Sequence, residues 1–231
     1  MFSIFIKVIL MNVDGYFQPK LKHGVDIVSY ETFIRSREFK NTESFILKQN
    51  DRLGFDINML NYFSSSLARF NGDLPFAINI FSNSLCSEKF LCACDSIGSS
   101  LKFSLELTEY ERVLDFNSTK ESMNYLRLMG IDCSMDDFGK GYSDIETLKK
   151  LPFEEVKLDR DMIRRTLTCR KSRIELSSFK RFVTDLGINR VVYEGIESKE
   201  MQDIILDIDN DAILQGFYYA KPKPIADLIH E

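Results

Sequence analysis

The chain has 231 residues, of which 44% are hydrophobic and 28% charged, and this balance is ordinary for a globular domain with a full core. Its formal net charge of −5 argues against a general binder of DNA or RNA polymers, because such proteins carry a basic stripe that neutralises phosphates. A phosphate-containing ligand would therefore have to be held locally.

The cysteines and histidines restrict the compartment and the kind of metal. Five cysteines, without the spacing of a disulfide framework, indicate a reducing compartment, and we expect a cytoplasmic protein. A zinc cluster of Cys86, Cys92 and Cys94 is disfavoured, because no second Cys or His pair follows and residues two apart diverge on a helix. With only His23 and His230 in the chain, a metal would have oxygen ligands, which favours Mg²⁺ or Mn²⁺.

The first residues, MFSIFIKVILMN, are apolar but interrupted by Lys7, and the run is shorter than the roughly 20 residues that a membrane helix needs. The charge inside the apolar run and the lack of a small-residue cleavage site also argue against a signal peptide. We expect a short leading segment, residues 1–14, packed on a single domain that occupies residues 15–231, with no membrane span.

Short β-branched or aromatic runs alternate with helical patterns, which predicts βα units and a largely parallel sheet. The predicted strands are Tyr16–Leu21, Asp26–Ile34, Phe76–Phe81, Phe103–Leu107, Asp132–Met135, Glu155–Leu158, Arg190–Tyr193 and Ala212–Phe217. The predicted helices are Thr42–Arg52, Met59–Phe70, Leu85–Ile97, Lys120–Met129, Asp144–Lys150, Ser172–Leu186 and Lys199–Ile208.

The turn LKHG between the first two strands is too short for a crossover helix, so this pair should be antiparallel. Eight strands with intervening helices in a chain of this length fit an α/β fold of the (β/α)8 TIM-like type, with the first strand antiparallel to the rest.

Polar residues collect at the carboxyl ends of the predicted strands, where a (β/α)8 barrel places its chemistry. Such residues need partners or a metal, because charged groups at the ends of apolar strands are costly to bury alone. In strand order they are Glu31 with Arg35, Asn79, Glu106 with Glu109, Asp136 with Asp137, Lys157 with Asp159, Glu194 with Glu197, and Gln215. The densest stretch, 134–161, predicts a metal-dependent active site.

A series of motifs in this order resembles the EAL-domain phosphodiesterases, which hydrolyse cyclic di-GMP. The resemblance covers nearly the whole chain, and YETFIR (Tyr30 to Arg35) stands at the place of the family's Glu-Ala-Leu signature. The other matching segments are YFQPKL, AINIFS, LELTE, DDFGKGYSDIETLKKLP, EVKLDRDMI, YEGIES and LQGFYYAKP.

The resemblance implies two divalent ions, Mg²⁺ or Mn²⁺, and a water activated between them that attacks one phosphodiester of cyclic di-GMP and yields linear pGpG. It also implies the ligands, which are Glu31, Asn79, Glu106 and Asp136 for one ion and Asp136, Asp137 and Glu194 for the other. Asp136 and Asp137 can bind the same pair of metal ions only if the strand ends there and the chain turns, beginning at Phe138-Gly139.

Further roles follow from the same resemblance. Lys157 would favour hydroxide and steady the charge developing on phosphorus, Gln215 would orient a ligand or water, and Asp159 would hold Lys157 or a water. Glu197 would support the metal ligands without touching the metal.

Gln18 and Arg35 match positions that contact the nucleotide, Arg35 as a fork of donors for a phosphate. The loop from Phe138 to Asp144 matches a metal-linked loop, anchored by Glu109, that couples the site to dimer contacts. The resemblance thus suggests a homodimer.

Several positions depart from the family pattern. Thr32 and Phe33 replace Ala and Leu of the signature, Ser36 replaces a common Trp, Lys140 replaces a Thr, and Asp144 replaces a Ser. Because every proposed metal ligand and the proposed catalytic lysine are retained, we expect an active phosphodiesterase. The departures keep open a catalytically weak or inactive regulator that binds cyclic di-GMP or a protein partner, and the fold alone also allows a hydrolase of another phosphoester.

Overall fold

The computed structural model describes residues 13–68, 70, 73–98 and 101–229, and in these ranges nine strands form one closed sheet. The strands are β1 (Val13–Lys22), β2 (Asp26–Ser36), β3 (Phe76–Ile80), β4 (Phe103–Leu107), β5 (Cys133–Phe138), β6 (Glu155–Leu158), β7 (Arg190–Tyr193), β8 (Ile213–Leu214) and β9 (Lys223–Pro224). Most of the predicted leading segment, together with His230, lies outside the described residues.

The barrel consists of β1 to β8, and β1 closes it. Strands β2 to β8 follow one another in parallel, whereas β1 runs antiparallel between β2 and β8. The turn from β1 to β2 contains His23 and Gly24, both with positive φ, as in tight hairpins. The prediction of a (β/α)8 barrel with an antiparallel first strand is therefore confirmed.

The helices cover the outside of the barrel. They are α1 (Thr42–Leu47), α2 (Arg52–Leu67), α3 (Glu88–Gly98), α4 (Phe116–Leu128), α5 (Ile145–Lys150), α6 (Arg160–Thr168), α7 (Arg170–Asp185), α8 (Lys199–Ile208) and α9 (Ile225–Ile229), with a 3₁₀ helix at Ser82–Cys86. Within the described ranges, every helix is too short or too polar to cross a membrane.

Most element boundaries differ from the prediction by a few residues, and three larger differences have a local cause. Helix α2 begins at Arg52, well before the predicted Met59, because Asp51 caps it by accepting a hydrogen bond from Gly54 N at 2.8 Å. Helix α6 was not predicted, and its cap is Asp159, which accepts from Asp161 N at 3.0 Å. The last predicted strand shrinks to β8, because the chain turns directly after it.

The alternation of side chains along the strands determines what enters the barrel. In β6, the side chains of Val156 and Leu158 are fully buried on the outer face of the sheet, whereas those of Glu155 and Lys157, which alternate with them, point into the barrel. Polar side chains are thereby stacked in two levels along the barrel axis, with Glu155 deeper and Lys157 nearer the carboxyl ends of the strands.

Candidate metal centre

Lys157 lies at the centre of a cluster of carboxylates at the mouth of the barrel. Its Nζ is 2.9 Å from Glu31 Oε2, 2.8 Å from Glu106 Oε2, 2.8 Å from Asp136 Oδ1 and 2.9 Å from Glu194 Oε1. Burial alone would lower the pKa of Lys157, but these carboxylates outweigh it and raise the pKa well above its usual value. Residues from the ends of five strands thus converge on one point.

A second buried lysine, which the sequence analysis did not single out, supports the cluster from deeper in the barrel. Lys20 Nζ is 2.5 Å from Glu106 Oε1 and 2.8 Å from Glu155 Oε1, and the Lys20 side chain is 1% exposed. Burial disfavours ionisation of Glu106, but Lys157 and Lys20 together lower its pKa to about 2. The alternation of side chains along a strand could have indicated this, because Lys20 is two residues from Gln18 and therefore lies on the same face of β1.

The cluster is short of positive charge. Burial raises the pKa of Glu31 to about 7, and it also raises the pKa values of Asp136 and Glu194. When ionised, the four carboxylates around Lys157 and that of Asp137 carry five negative charges. The ammonium of Lys157 cancels one of them, and the charge of Lys20 is offset by Glu155, so four negative charges remain. Four charges are what two divalent cations supply.

Two amides beside the cluster present unpaired oxygens. Asn79 Nδ2 donates to Glu31 Oε1 at 3.3 Å, and Gln215 Nε2 donates to Glu31 Oε2 at 2.7 Å and to Gln18 Oε1 at 3.2 Å. Asn79 Oδ1 and Gln215 Oε1 are buried and have no hydrogen-bond partner within the described part of the chain. A buried carbonyl oxygen without a donor is costly, and a cation would satisfy it.

The donor set fits a hard divalent cation. Oxygen atoms of Glu31, Glu106 and Asp136 lie within 4.8 Å of one another, with the free oxygen of Asn79 in the same wall. Carboxylate and amide oxygens are the ligands that Mg²⁺ and Mn²⁺ prefer.

The chain changes direction at the paired aspartates. Asp137 has a φ of 45°, Asp137 N donates to Asp136 Oδ1 at 3.0 Å, and the pairing of β5 with β6 shifts register between Met135 and Phe138. Both aspartates can therefore line the same cavity. The break precedes the predicted turn at Phe138-Gly139, since Phe138 returns to the sheet opposite Leu158.

Glu109 anchors the loop that follows β5. Its backbone carbonyl accepts a hydrogen bond from Tyr142 N at 3.1 Å, and a Cβ added at Gly141 would lie 2.3 Å from the same oxygen. Burial raises the pKa of the Glu109 carboxyl to about 7, and the charges of Asp136 and Asp137 add to the effect. The anchor is thus the Glu109 backbone.

Asp159 has a different partner from the one expected. Its Oδ2 lies 2.6 Å from Lys140 Nζ, whereas Lys157 contacts four other carboxylates. The first of the two expected roles, in which Asp159 holds Lys157, is therefore corrected, and the second, in which it holds a water, stays a prediction. Asp159 lies past the end of β6, where it caps α6, and it is near enough to meet the loop of Lys140.

Of the two predicted substrate contacts, Gln18 lines the cavity and Arg35 does not. Glu197, expected to support the metal ligands, also lines the cavity, and its Oε1 lies 2.7 Å from Arg164 Nη2. Arg35 is exposed, and its guanidinium lies 4.2 Å from the centre of the Tyr16 ring. Ser36, at the position of the family's Trp, accepts hydrogen bonds from the backbone of the next turn.

An apolar cavity of about 430 Å³ extends from the carboxylates towards α1 and α2. Its apolar lining includes Phe33, Ile34, Ile46, Phe55, Met59, Phe63 and Phe81. Behind this lining, the buried Asp56 accepts hydrogen bonds at Oδ2 from Phe81 N at 2.9 Å and from Ser84 Oγ at 2.6 Å, while its Oδ1 has no partner within the described ranges. Burial raises the Asp56 pKa well above its usual value. Sequence alone gave no sign of Asp56, which lies inside a helix.

Several known proteins are similar to this chain in sequence or in fold. RocR of Pseudomonas aeruginosa, a cyclic di-GMP phosphodiesterase, is 37% identical over 126 residues, which are 54% of this chain and 31% of RocR, so the chain spans under a third of that relative. An EAL-domain protein from Listeria monocytogenes EGD-e has the same fold, with a TM-score of 0.81 and 23% identity over 100% of this chain and 96% of that one.

A third similar protein is BlrP1 of Klebsiella pneumoniae, whose structure is a complex with manganese and cyclic di-GMP. It has a TM-score of 0.80 and 25% identity over 93% of this chain and 57% of that one. The family model of the EAL domain matches residues 11–222. The chain therefore belongs to the EAL-domain family.

Proposed function

We propose that this protein is a metal-dependent phosphodiesterase that hydrolyses cyclic di-GMP to linear pGpG. The observation that carries the proposal is the cluster of carboxylates around Lys157, whose charge and unpaired amide oxygens fit two divalent cations. RocR and BlrP1 support the choice of substrate, since one is a cyclic di-GMP phosphodiesterase and the other binds the nucleotide with manganese.

In this proposal the cluster would hold two Mg²⁺ or Mn²⁺ ions, which would supply neutralisation of the diester charge and activation of water. The ligands are Glu31, Asn79, Glu106 and Asp136 for one ion and Asp136, Asp137 and Glu194 for the other. Lys157 uses its N–H groups on four carboxylates in this structure, and once the ions take over those carboxylates it would donate towards the attacking water and the phosphoryl oxygens. Gln215, fixed through Glu31 and Gln18, offers its free Oε1 to a water or to the ligand.

The apolar cavity provides a place for one base of the substrate. Aromatic and aliphatic walls suit the flat faces of a purine. Phe33, in place of the signature's Leu, forms part of this wall.

The test is to incubate the purified protein with cyclic di-GMP and Mg²⁺ or Mn²⁺ and to separate the products by chromatography. We expect pGpG, and we expect its formation to be lost in Glu31→Gln and in Lys157→Met. Glu121→Gln, on the exposed face of α4, is the matched control and should keep wild-type turnover. Hydrolysis of other phosphodiesters but not of cyclic di-GMP would contradict the choice of substrate.

A second candidate is a regulator that binds cyclic di-GMP without hydrolysing it. One observation favours it, because Lys140 lies between Asp137 and Asp159, where its charge competes with the second ion. Calorimetric binding of the nucleotide without product formation would select this candidate.

Kinship within the family also leads us to propose a cytoplasmic homodimer. Tyr142 on the loop and Ile145 on α5 are about half exposed and could contribute apolar contacts to a second copy. Sedimentation of the wild type and of Ile145→Glu would test the dimer, and equal masses for the two would argue against this surface.

A further inference from the structure

Lys140 lies at the edge of the carboxylate cluster that the proposed second ion would use. Its Nζ is 2.6 Å from Asp159 Oδ2 and 3.5 Å from Asp137 Oδ2. The Lys140 side chain is 42% exposed, whereas that of Asp159 is 7% exposed, so the aspartate is fixed and the ammonium can move.

The backbone brings Lys140 to this place. Lys140 N donates to Asp137 O at 3.0 Å and Ser143 N donates to Lys140 O at 2.9 Å, so the loop folds back on the end of β5. The positive φ of Asp137 turns its carboxylate towards the same side. A lysine here is thus held within reach of Asp137 by local structure.

This placement affects the charge available to a cation at Asp137. An ammonium that is shared between Asp137 and Asp159 neutralises part of the negative charge that would attract a divalent ion. Even in water, a single and a double positive charge about 5 Å apart repel each other by roughly the free energy of one decade in affinity. When the ammonium of Lys140 is removed, the buried carboxylate of Asp159 loses its partner, and its negative charge also attracts the divalent ion.

We propose that Lys140 is a tethered cation that weakens binding of the second divalent ion by competing for Asp137. The inference rests on the proposed function, since it takes Asp137 as a ligand of that ion. The ion held by Glu31, Glu106 and Asp136 is affected little, because Lys157 and Lys20 already determine the charge around it. The second ion would then bind only at higher concentrations of Mg²⁺ or Mn²⁺.

The experiment is a calorimetric titration of metal-free protein with Mn²⁺, with no nucleotide present. We expect two classes of site in the wild type, and in Lys140→Thr we expect the weaker class to tighten about tenfold while the tighter class is unchanged. Lys140→Arg keeps the charge and should retain the weak second site. Lys120→Thr, which removes a charge from exposed α4, is the matched control and should behave as the wild type.

The outcomes separate this inference from the proposed function. Two sites with wild-type affinities in Lys140→Thr would overturn the role of Lys140 and leave the proposed phosphodiesterase intact. A second site that becomes measurable only in Lys140→Thr would support it. Failure of every variant to bind Mn²⁺ would overturn both, and a tightened second site in Lys140→Arg would show that charge is not the cause.

Discussion

Replacing Lys20 with Met should destabilise the protein strongly, although this residue lies beneath the site. Met keeps the length and volume of the side chain, so the main loss is two charged contacts, at 2.5 Å to Glu106 and 2.8 Å to Glu155. Removing one partner of a buried ion pair costs about 3–5 kcal/mol when the other charge is left uncompensated, and we expect about 3 kcal/mol here, because Glu106 keeps Lys157 and Glu155 keeps the more distant Arg190. For a chain of this size that corresponds to a fall in the melting temperature of roughly 6–12 °C.

The assay is urea unfolding followed by far-UV circular dichroism at pH 7.5 in EDTA, since the chain has no Trp. Lys22→Met, two residues along the same strand, removes an exposed lysine paired with the exposed Asp211 and should stay close to wild type. The double variant Lys20→Met/Glu155→Gln should recover part of the loss, because one of the stranded carboxylates is also removed. Equal stability of Lys20→Met and Lys22→Met would refute the reasoning.

Three further predictions concern pH, the loop and the cavity. Metal-free protein should lose stability as the pH rises from about 4.5 to about 7, because folded Glu31 and Glu109 (pKa about 7) retain protons that the unfolded chain has released, and a melting temperature that rises over this range would contradict this. Gly141→Ala should cost more stability than Gly187→Ala, since both have positive φ but only Gly141 meets a backbone oxygen, and equal melting temperatures would argue against the clash. Asp56→Asn should cost less in urea unfolding than Asp56→Ala, because an amide oxygen can still accept from Phe81 N and Ser84 Oγ whereas Ala leaves these buried donors unsatisfied at about 1–3 kcal/mol, and an equal cost for the two would argue against these hydrogen bonds.

The order of the strands and the convergence at their ends could be predicted from the sequence. In a parallel barrel the carboxyl end of every strand lies at the same face, so Glu31, Glu106, Asp136, Lys157 and Glu194 meet whatever the details of packing. The pattern of apolar runs was enough to place these residues at strand ends.

The contacts across the barrel could not be predicted in the same way. Lys20 bonds to residues 86 and 135 positions away, and only closure of the barrel brings these together. A lysine in a strand normally faces solvent, so its burial follows from partners that a local pattern does not contain.

Side chains whose contacts depend on the exact path of a loop or on the first residue of a helix could not be predicted from the sequence either. The partner of Asp159 depends on where α6 begins and on how the loop bearing Lys140 folds back. The contacts of Asp56 depend on the packing of α2 against the 3₁₀ helix, since its hydrogen bonds come from Phe81 N and Ser84 Oγ.

The shortness of β8 has a consequence for how the protein responds to a ligand. Two residue pairs join β8 to β7 and two join it to β1; β2 and β3 are also joined by two, but among the barrel strands only β8 has so few pairs on both of its edges, so local opening of the barrel there should require little free energy. Gln215 follows β8 directly and bonds to Glu31 and Gln18 across the seam. Binding of a metal ion at the mouth of the barrel and closure of the barrel at β8 are therefore linked. Amide hydrogens of residues 213–215 should exchange with solvent more slowly when Mn²⁺ is bound than when it is removed.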